Sequence, residues 1–317
     1  MGHRICIVGG SGFVGRAIAK QALEQGMEVN IACRHPERAR DLLVHGVRLF
    51  KADICSGRGL DDAITGTDCV INLVGLLFER GPQNFSAAHV HGAEHLLAAC
   101  ERAGIGQYIH MSAMGADLGS QSSYARSKAE AEQRVRQSRL NWTIMRPSII
   151  YGDGDSFFGR FRSLYAKAPV APLIGAECRF QPIWVEDVAR AFITSIGHRD
   201  VGGKIFELGG PQAFNLRELI EIMLGELGWQ RLLLPVPHAI AGIMARLMQL
   251  LPTPPLTPDQ LILLGRDNVP SGEESFPALF GQAAALQDIL PGCLSEDKPT
   301  RLQNRLDHDR KHYWRNQ

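Results

Sequence analysis

Tyr124 and Lys128, in the run Tyr124-Ala-Arg-Ser-Lys128, put a phenol and an ammonium four residues apart. On a helix that spacing places both on one face. A free tyrosine ionises at about pH 10, too high for ready proton exchange at neutrality. An adjacent ammonium favours the phenolate, so the spacing predicts that Lys128 lowers the Tyr124 pKa and tunes it for general acid–base work. Ser112, earlier in the chain, adds a hydroxyl able to hydrogen-bond a substrate carbonyl. Tyr-x-x-x-Lys also arises by chance as a surface pair, so its meaning depends on what precedes it.

What precedes it is a glycine loop. Gly9-Gly10-Ser11-Gly12-Phe13-Val14-Gly15 follows the apolar run 4–8 and opens a helical pattern, and Gly9, Gly12 and Gly15 satisfy G-x-x-G-x-x-G. Such glycines permit a tight turn, close approach of backbone to a pyrophosphate, and close helix–strand packing. The helix N-terminus adds free N–H groups and partial positive charge for phosphate oxygens. A merely tight strand–helix turn is the plainer alternative. Position decides for a dinucleotide site.

Nineteen residues after Gly15, where an acidic side chain would hold a ribose 2′-hydroxyl, the chain carries Arg34, followed by Arg38 and Arg40. A guanidinium suits a 2′-phosphate, so NADP(H) is favoured, with NAD(H) the alternative. Arg40 reads as decoration of a solvated helix start. Asp53, with Ile54 beside it, is placed to meet the adenine, and the backbone of Leu73, Val74 and Gly75 to line the cofactor.

The elements that must position these residues alternate. Strands are predicted at 4–8, 28–33, 47–52, 69–74, 108–111 and 142–145, and helices at 14–24, 36–44, 60–64, 85–103 and 124–138. That alternation, with nearly continuous apolar strands, predicts an α/β fold, a Rossmann doubly wound parallel sheet with a smaller C-terminal substrate lobe. The expected division is a Rossmann domain at 1–150, completed by about 186–209, a substrate or lid lobe at 151–296, and a polar tail at 297–317. Further along, a helix is expected at 185–196 and a strand at 204–208. Asn215 with Glu218 should open a helix by a capping box, and Thr257-Pro258 another.

Composition narrows the class. The 317 residues hold 34 Lys+Arg against 33 Asp+Glu, with 45% hydrophobic residues, so neither a nucleic-acid footprint nor global disorder is expected. Seven scattered cysteines without a C-x-x-C pair argue for reduced thiols and against a zinc site. The stretch 232–251 is the most apolar, but Pro235, Pro237, His238 and Arg246 interrupt it, so no spanning helix is predicted. The opening residues do not follow a signal-peptide pattern. A cytoplasmic protein, at most peripheral to the inner membrane, is expected.

Together these motifs resemble the short-chain dehydrogenase/reductase superfamily in its extended or atypical branch. Within that branch the chain is similar to the nucleotide-binding accessory subunit of respiratory complex I and its free-standing bacterial relatives. The likeness is carried by residues 8–15, Ile109-His-Met-Ser-Ala-Met-Gly-Ala-Asp117, residues 124–132 and Arg146-Pro-Ser-Ile-Ile-Tyr-Gly152, extended by 180–189 and 206–211. It covers about residues 4–290. The resemblance implies Tyr124 as acid/base, Lys128 as ribose anchor and modulator, Ser112 as substrate orienter, and Pro147 to Ile150 beside the nicotinamide. His91 stands where the branch often carries an asparagine near the lysine, so it would replace or abolish that contact. In the complex I subunit the nucleotide is structural, so a site of this kind does not by itself establish turnover.

Other features have plainer readings. His89, His91 and His95 read as surface or supporting histidines rather than metal ligands, and Asp153 and Asp155 as a glycine-rich turn. The helical pattern at 239–251 is either core packing of the second lobe, a lid, or a docking face for membrane or partner. The functional expectation is NADP(H)-linked hydride transfer on an unidentified small or isoprenoid-like carbonyl. The resemblance adds a role in quinone metabolism or respiratory-complex association. The rivals are a non-catalytic nucleotide-binding accessory protein and a sugar-nucleotide epimerase or dehydratase, for which Arg160, Arg162 and Arg179 would be the anchoring cations.

Overall fold

A computed structural model describes residues 3–81, 83–166, 169–249, 254, 256–272 and 276–295. Six strands, β1 (Arg4–Val8), β2 (Glu28–Cys33), β3 (Arg48–Lys51), β4 (Cys69–Asn72), β5 (Gln107–Met111) and β6 (Trp142–Pro147), join the strand Lys204–Leu208 in one sheet. From one edge the order is Lys204–Leu208, β6, β5, β4, β1, β2, β3. Every neighbouring pair is parallel. This is the Rossmann arrangement.

The alternation of strand side chains explains why both faces are covered. In β1, Ile5 and Ile7 enter the layer containing helix α1 (Phe13–Glu24) and the Val185–Ser195 helix. Cys6 and Val8 enter the opposite layer with α2 (Leu60–Ile64) and α3 (Gly92–Ala103). Neighbouring side chains therefore serve different cores, and a polar residue at either would be buried. Burial pushes the Cys6, Cys69 and Cys100 thiols up, which leaves them protonated packing groups. A third apolar cluster, around Tyr151, Phe158, Tyr165, Leu219 and Leu290, gathers the residues between and after the last sheet strands.

Local signals set several boundaries. Asn215 and Glu218 form the reciprocal capping box of the Leu216–Glu226 helix, and Thr257 and Gln260 do the same for Pro258–Leu263. Two expected α-helices differ. Pro36–His45 is a 3-10 helix that buries only Ala39, too little apolar surface to hold a regular turn. Ser86–His91 opens with a π-turn before α3 continues from Gly92. β4 ends at Asn72, short of the expected Val74, because the Asn72 Oδ1 accepts the Val74 N–H at 3.1 Å and turns the chain. The tail at 297–317 lies outside the described residues, as do parts of the proline-rich segment 251–255.

One ion pair fastens the helix α4 (Ser123–Gln137) to the sheet. The Arg146 guanidinium donates twice to Glu132, at 2.7 and 2.6 Å, and Glu132 is fully buried. Removing one partner of such a pair leaves the other uncompensated. Glu132→Gln is expected to cost about 3 kcal/mol, read as a lower urea midpoint with an unchanged slope. An unaltered midpoint would show that the pair does not hold α4.

Candidate functional site

β1 lies between β2 and β4, so the chain leaves the carboxyl ends of β1 and β4 in opposite directions and opens a crevice there. The glycine loop lines one side of it. Gly9 has φ +86°, a left-handed conformation. A Cβ on Gly15 would sit 2.5 Å from the Gly10 Cα, and one on Gly10 would sit 2.9 Å from Ile31 Cγ1. These two glycines are packed shut. Gly12 differs: its Cβ would touch only the Gly9 carbonyl, at 3.3 Å, so the missing side chain leaves an open cradle. Gly12 is also the N-cap of α1, with no side-chain cap and no acidic residue in the first turn. The Phe13, Val14 and Gly15 N–H groups are therefore left for an anion. Cradle and uncapped helix fit a dinucleotide pyrophosphate. Ser11 belongs to the same loop, and its carbonyl accepts from the Arg16 Nε at 3.1 Å.

Arg16 is the residue that sequence reasoning overlooked here. It also donates to the Arg38 carbonyl at 2.9 Å and to both oxygens of Asp41. One guanidinium thus ties the phosphate loop to the segment after β2. Arg34 and Arg38 are exposed on that segment; burial and then the Asp53 charge push the Cys55 thiol up, against an opposing contribution from Arg34. Asp53 is half-buried after β3, and its Oδ1 accepts the Cys55 N–H at 3.1 Å. Ile54 is buried, and its carbonyl meets the His95 ring at 3.0 Å. Leu73 and Val74 back directly onto Gly9. Arg40 instead lines a shallow depression of about 390 Å³ with Glu37, Leu43 and Lys51, separate from the site residues.

The second half of the site sits where β4 and β5 end. Lys128, buried on α4, donates from Nζ to the Met111 carbonyl at 3.2 Å, and a Cβ on Gly75 would lie 3.3 Å from that nitrogen. Ser112 follows Met111, and its buried Oγ finds no partner among the described residues. A buried hydroxyl left unpaired costs about 1–3 kcal/mol, which a ligand oxygen would relieve. Pro147 ends β6, and its carbonyl accepts the Met114 N–H at 3.1 Å, so it borders the Ser112 loop. Ile150 pairs with Ile183 a few residues on.

Tyr124 is held by rings. Its centroid lies 5.7 Å from Phe85 and 5.6 Å from His89, both edge-on. The π-turn brings His89 inward, and its partners fix its tautomer. The Leu76 N–H donates to Nε2 at 3.0 Å, so Nδ1 carries the proton and donates to Ser127 Oγ at 2.8 Å. That hydroxyl donates to the Tyr124 carbonyl. Burial, then the Lys128 charge, hold the His89 pKa down at about 2 and the neighbouring His110 at about 3. His91, which the resemblance left either to replace or to abolish the contact near the lysine, is exposed. His89, two residues earlier, is the histidine turned inward.

The pKa expectation for Tyr124 is corrected as well. Burial first, then the Asp259 charge, push the phenol up to about 12. Burial lowers Lys128 itself to about 8, against an opposing contribution from Glu132. Desolvation of both groups outweighs their mutual tuning. Asp259 comes from the second lobe and covers the α4 N-terminus. It accepts from Ser122 Oγ at 2.8 Å, from the Ser123 N–H at 2.6 Å and from the Tyr124 N–H at 3.3 Å. No local signal could have indicated it, since it lies 135 residues from Tyr124. Phe85 and His89, four apart, could have been found as one helical face.

Comparison with known proteins places this geometry. Residues 9–169 match a family model described as NAD(P)H-binding. A mitochondrial NADH dehydrogenase (ubiquinone) 1 alpha subcomplex subunit 9 from Arabidopsis thaliana is 35% identical over 250 residues, covering 75% of this chain and 61% of that protein. A ceramide reductase from Caulobacter vibrioides is 31% identical over 193 residues, covering 60% of this chain and 59% of that protein. The chain thus spans about three fifths of the length of these two relatives. An NADPH-dependent quinone oxidoreductase from Escherichia coli, solved with NADPH, superposes with a TM-score of 0.72 at 19% identity, covering 90% of this chain and 97% of that one.

Proposed function

Since the chain belongs to the NAD(P)H-binding family, in its extended short-chain dehydrogenase/reductase and epimerase-like group, we propose that it is an NADP(H)-linked reductase of an apolar carbonyl compound. The observation that carries this is the unpaired, buried Ser112 hydroxyl at the β5 end shared with Lys128, one crevice away from the open Gly12 cradle. When bound, the nicotinamide supplies the hydride. Ser112 would orient the substrate oxygen, Tyr124 would hold the proton that oxygen needs, and Lys128 would anchor the ribose and keep positive charge at the site.

In a reduction the phenol is the proton donor. Held up at about 12 by burial and Asp259, Tyr124 is protonated throughout the neutral range and carries the proton that a reduced carbonyl oxygen takes up. Reduction uses that form; alcohol oxidation would need the phenolate. The apolar substrate class is supported by the names of two relatives, a ceramide reductase and a quinone oxidoreductase.

NADP(H) over NAD(H) rests on Arg34 and Arg38 standing exposed after β2 without an acidic residue in the ribose position. Arg34→Asp replaces a charge-assisted phosphate contact by repulsion, expected to cost about 2–3 kcal/mol in NADPH binding while NADH binding holds or improves. Calorimetric titration of both nucleotides reads this directly. Equal NADPH affinity before and after the change would remove Arg34 from the site.

A second reading has its own support in the Arabidopsis relative, named as a subunit of the respiratory NADH dehydrogenase. In it the nucleotide stabilises the fold, and the protein serves as an accessory or assembly partner near the membrane. The two readings part on whether Tyr124 matters once nucleotide is bound.

A further inference from the structure

The helix His238–Met248 buries small residues and exposes larger ones. Ala241 and Ala245 are buried and the helix packs on Pro258–Leu263, yet Ile240, Ile243 and Leu247 are 52%, 62% and 65% exposed. The larger apolar side chains therefore face away from the lobe core. The strand Leu232–Pro235, which leads into this helix, behaves the same way. Leu233 packs inward beside buried Ala171, whereas Leu232 and its pairing neighbour Val170 are exposed, as is Leu234. Ribbon and helix are consecutive in the chain, and both expose apolar side chains on one lobe. Single exposed apolar residues need no explanation, but a patch of this kind does.

Charge indicates what covers it. The described residues of 156–176 and 227–258, which build this part of the lobe, include Arg160, Arg162, Arg231 and Arg246 and no Asp or Glu, in a chain whose formal charge is only +1. We propose that this face docks on the surface of an anionic lipid bilayer. Ile240, Ile243 and Leu247 would enter the boundary between headgroups and acyl chains, with Arg246, exposed on the same helix, at the phosphates. No helix among the described residues is long and apolar enough to cross a membrane, so the contact is peripheral. A second copy of this chain fits less well, because symmetric pairing would bring arginines against arginines. The docked helix rests on the one that carries Asp259, so the membrane would lie against the element covering the Tyr124 helix. The docking claim itself does not depend on turnover.

The test is co-sedimentation of the full chain with vesicles, without nucleotide. The protein should pellet with vesicles of phosphatidylglycerol and phosphatidylcholine in equal parts, remain in solution with phosphatidylcholine alone, and detach as salt is raised. Ile243→Glu with Leu247→Glu should abolish pelleting, and Arg246→Glu should weaken it roughly fivefold to tenfold. Val44→Glu, at an exposed apolar residue outside the patch, should change nothing. Circular dichroism checks that each variant is folded, and Arg246→Glu gives the answer if the double variant is not. Absence of pelleting with anionic vesicles, or pelleting undiminished by these changes, would overturn the proposal. So would a dimer in sedimentation equilibrium that the double variant splits, which would make the second copy the occupant.

Discussion

Tyr124→Phe is expected to lower carbonyl reduction at least about a hundredfold while leaving dinucleotide affinity within a few-fold. The ring would stay where Phe85 and His89 hold it, and the glycine loop would be untouched. Only the transferable proton is lost. Lys128→Met should act differently, because it removes a buried ammonium at the end of β5, so affinity and rate should fall together. The pH profile carries the same signs. Tyr124 stays protonated below about 12, so the phenol imposes no loss near neutrality, whereas reduction should decline above about pH 8 as Lys128 gives up its charge. Steady-state kinetics and calorimetry on both variants check this. If Tyr124→Phe reduces carbonyls at the wild-type rate, the phenol is not the acid. In the accessory-protein reading, Tyr124→Phe is silent and Lys128→Met lowers only nucleotide-dependent melting.

Gly12→Val should abolish dinucleotide binding in a protein that still folds. Gly12 has φ −79° and ψ 178°, extended backbone that valine adopts readily, and its added Cβ would meet only one carbonyl oxygen. The branched side chain would instead fill the cradle where the pyrophosphate must approach. Gly15→Val provides the contrast, since its Cβ would overlap the Gly10 backbone at 2.5 Å and the loop could not close. Circular dichroism and nucleotide titration separate the two outcomes. A folded Gly12→Val protein that binds NADPH normally would refute the phosphate-loop assignment.

Much of the fold was legible because its causes are local. The run Ile5-Cys-Ile-Val8 needs two covered faces, and α1 begins where the glycines end. The capping box at Asn215 was readable from side chains three residues apart, and the helix start at Thr257 from the proline that follows it. The candidate catalytic residues were legible as types, but their electrostatics were not. Spacing alone suggests that Lys128 lowers Tyr124, whereas the burial that dominates both groups is a property of the packed protein. Asp259 reaches Tyr124 from another lobe, and Arg16 reaches Asp41 across 25 residues, so neither leaves a local pattern. The π-turn was hidden too, because a helical period of 3.6 does not show where one residue is inserted.

In the proposed reductase, bound NADPH gives up its hydride under the control of Tyr124. The most direct measurement is the reduced-nicotinamide absorbance of the NADPH-loaded protein after mixing with a panel of ketones, aldehydes and quinones. Loss of that absorbance is expected with at least one apolar carbonyl, slowed at least about a hundredfold in Tyr124→Phe. Tightly bound NADPH that stays reduced across the whole panel, in wild type and variant alike, would contradict it.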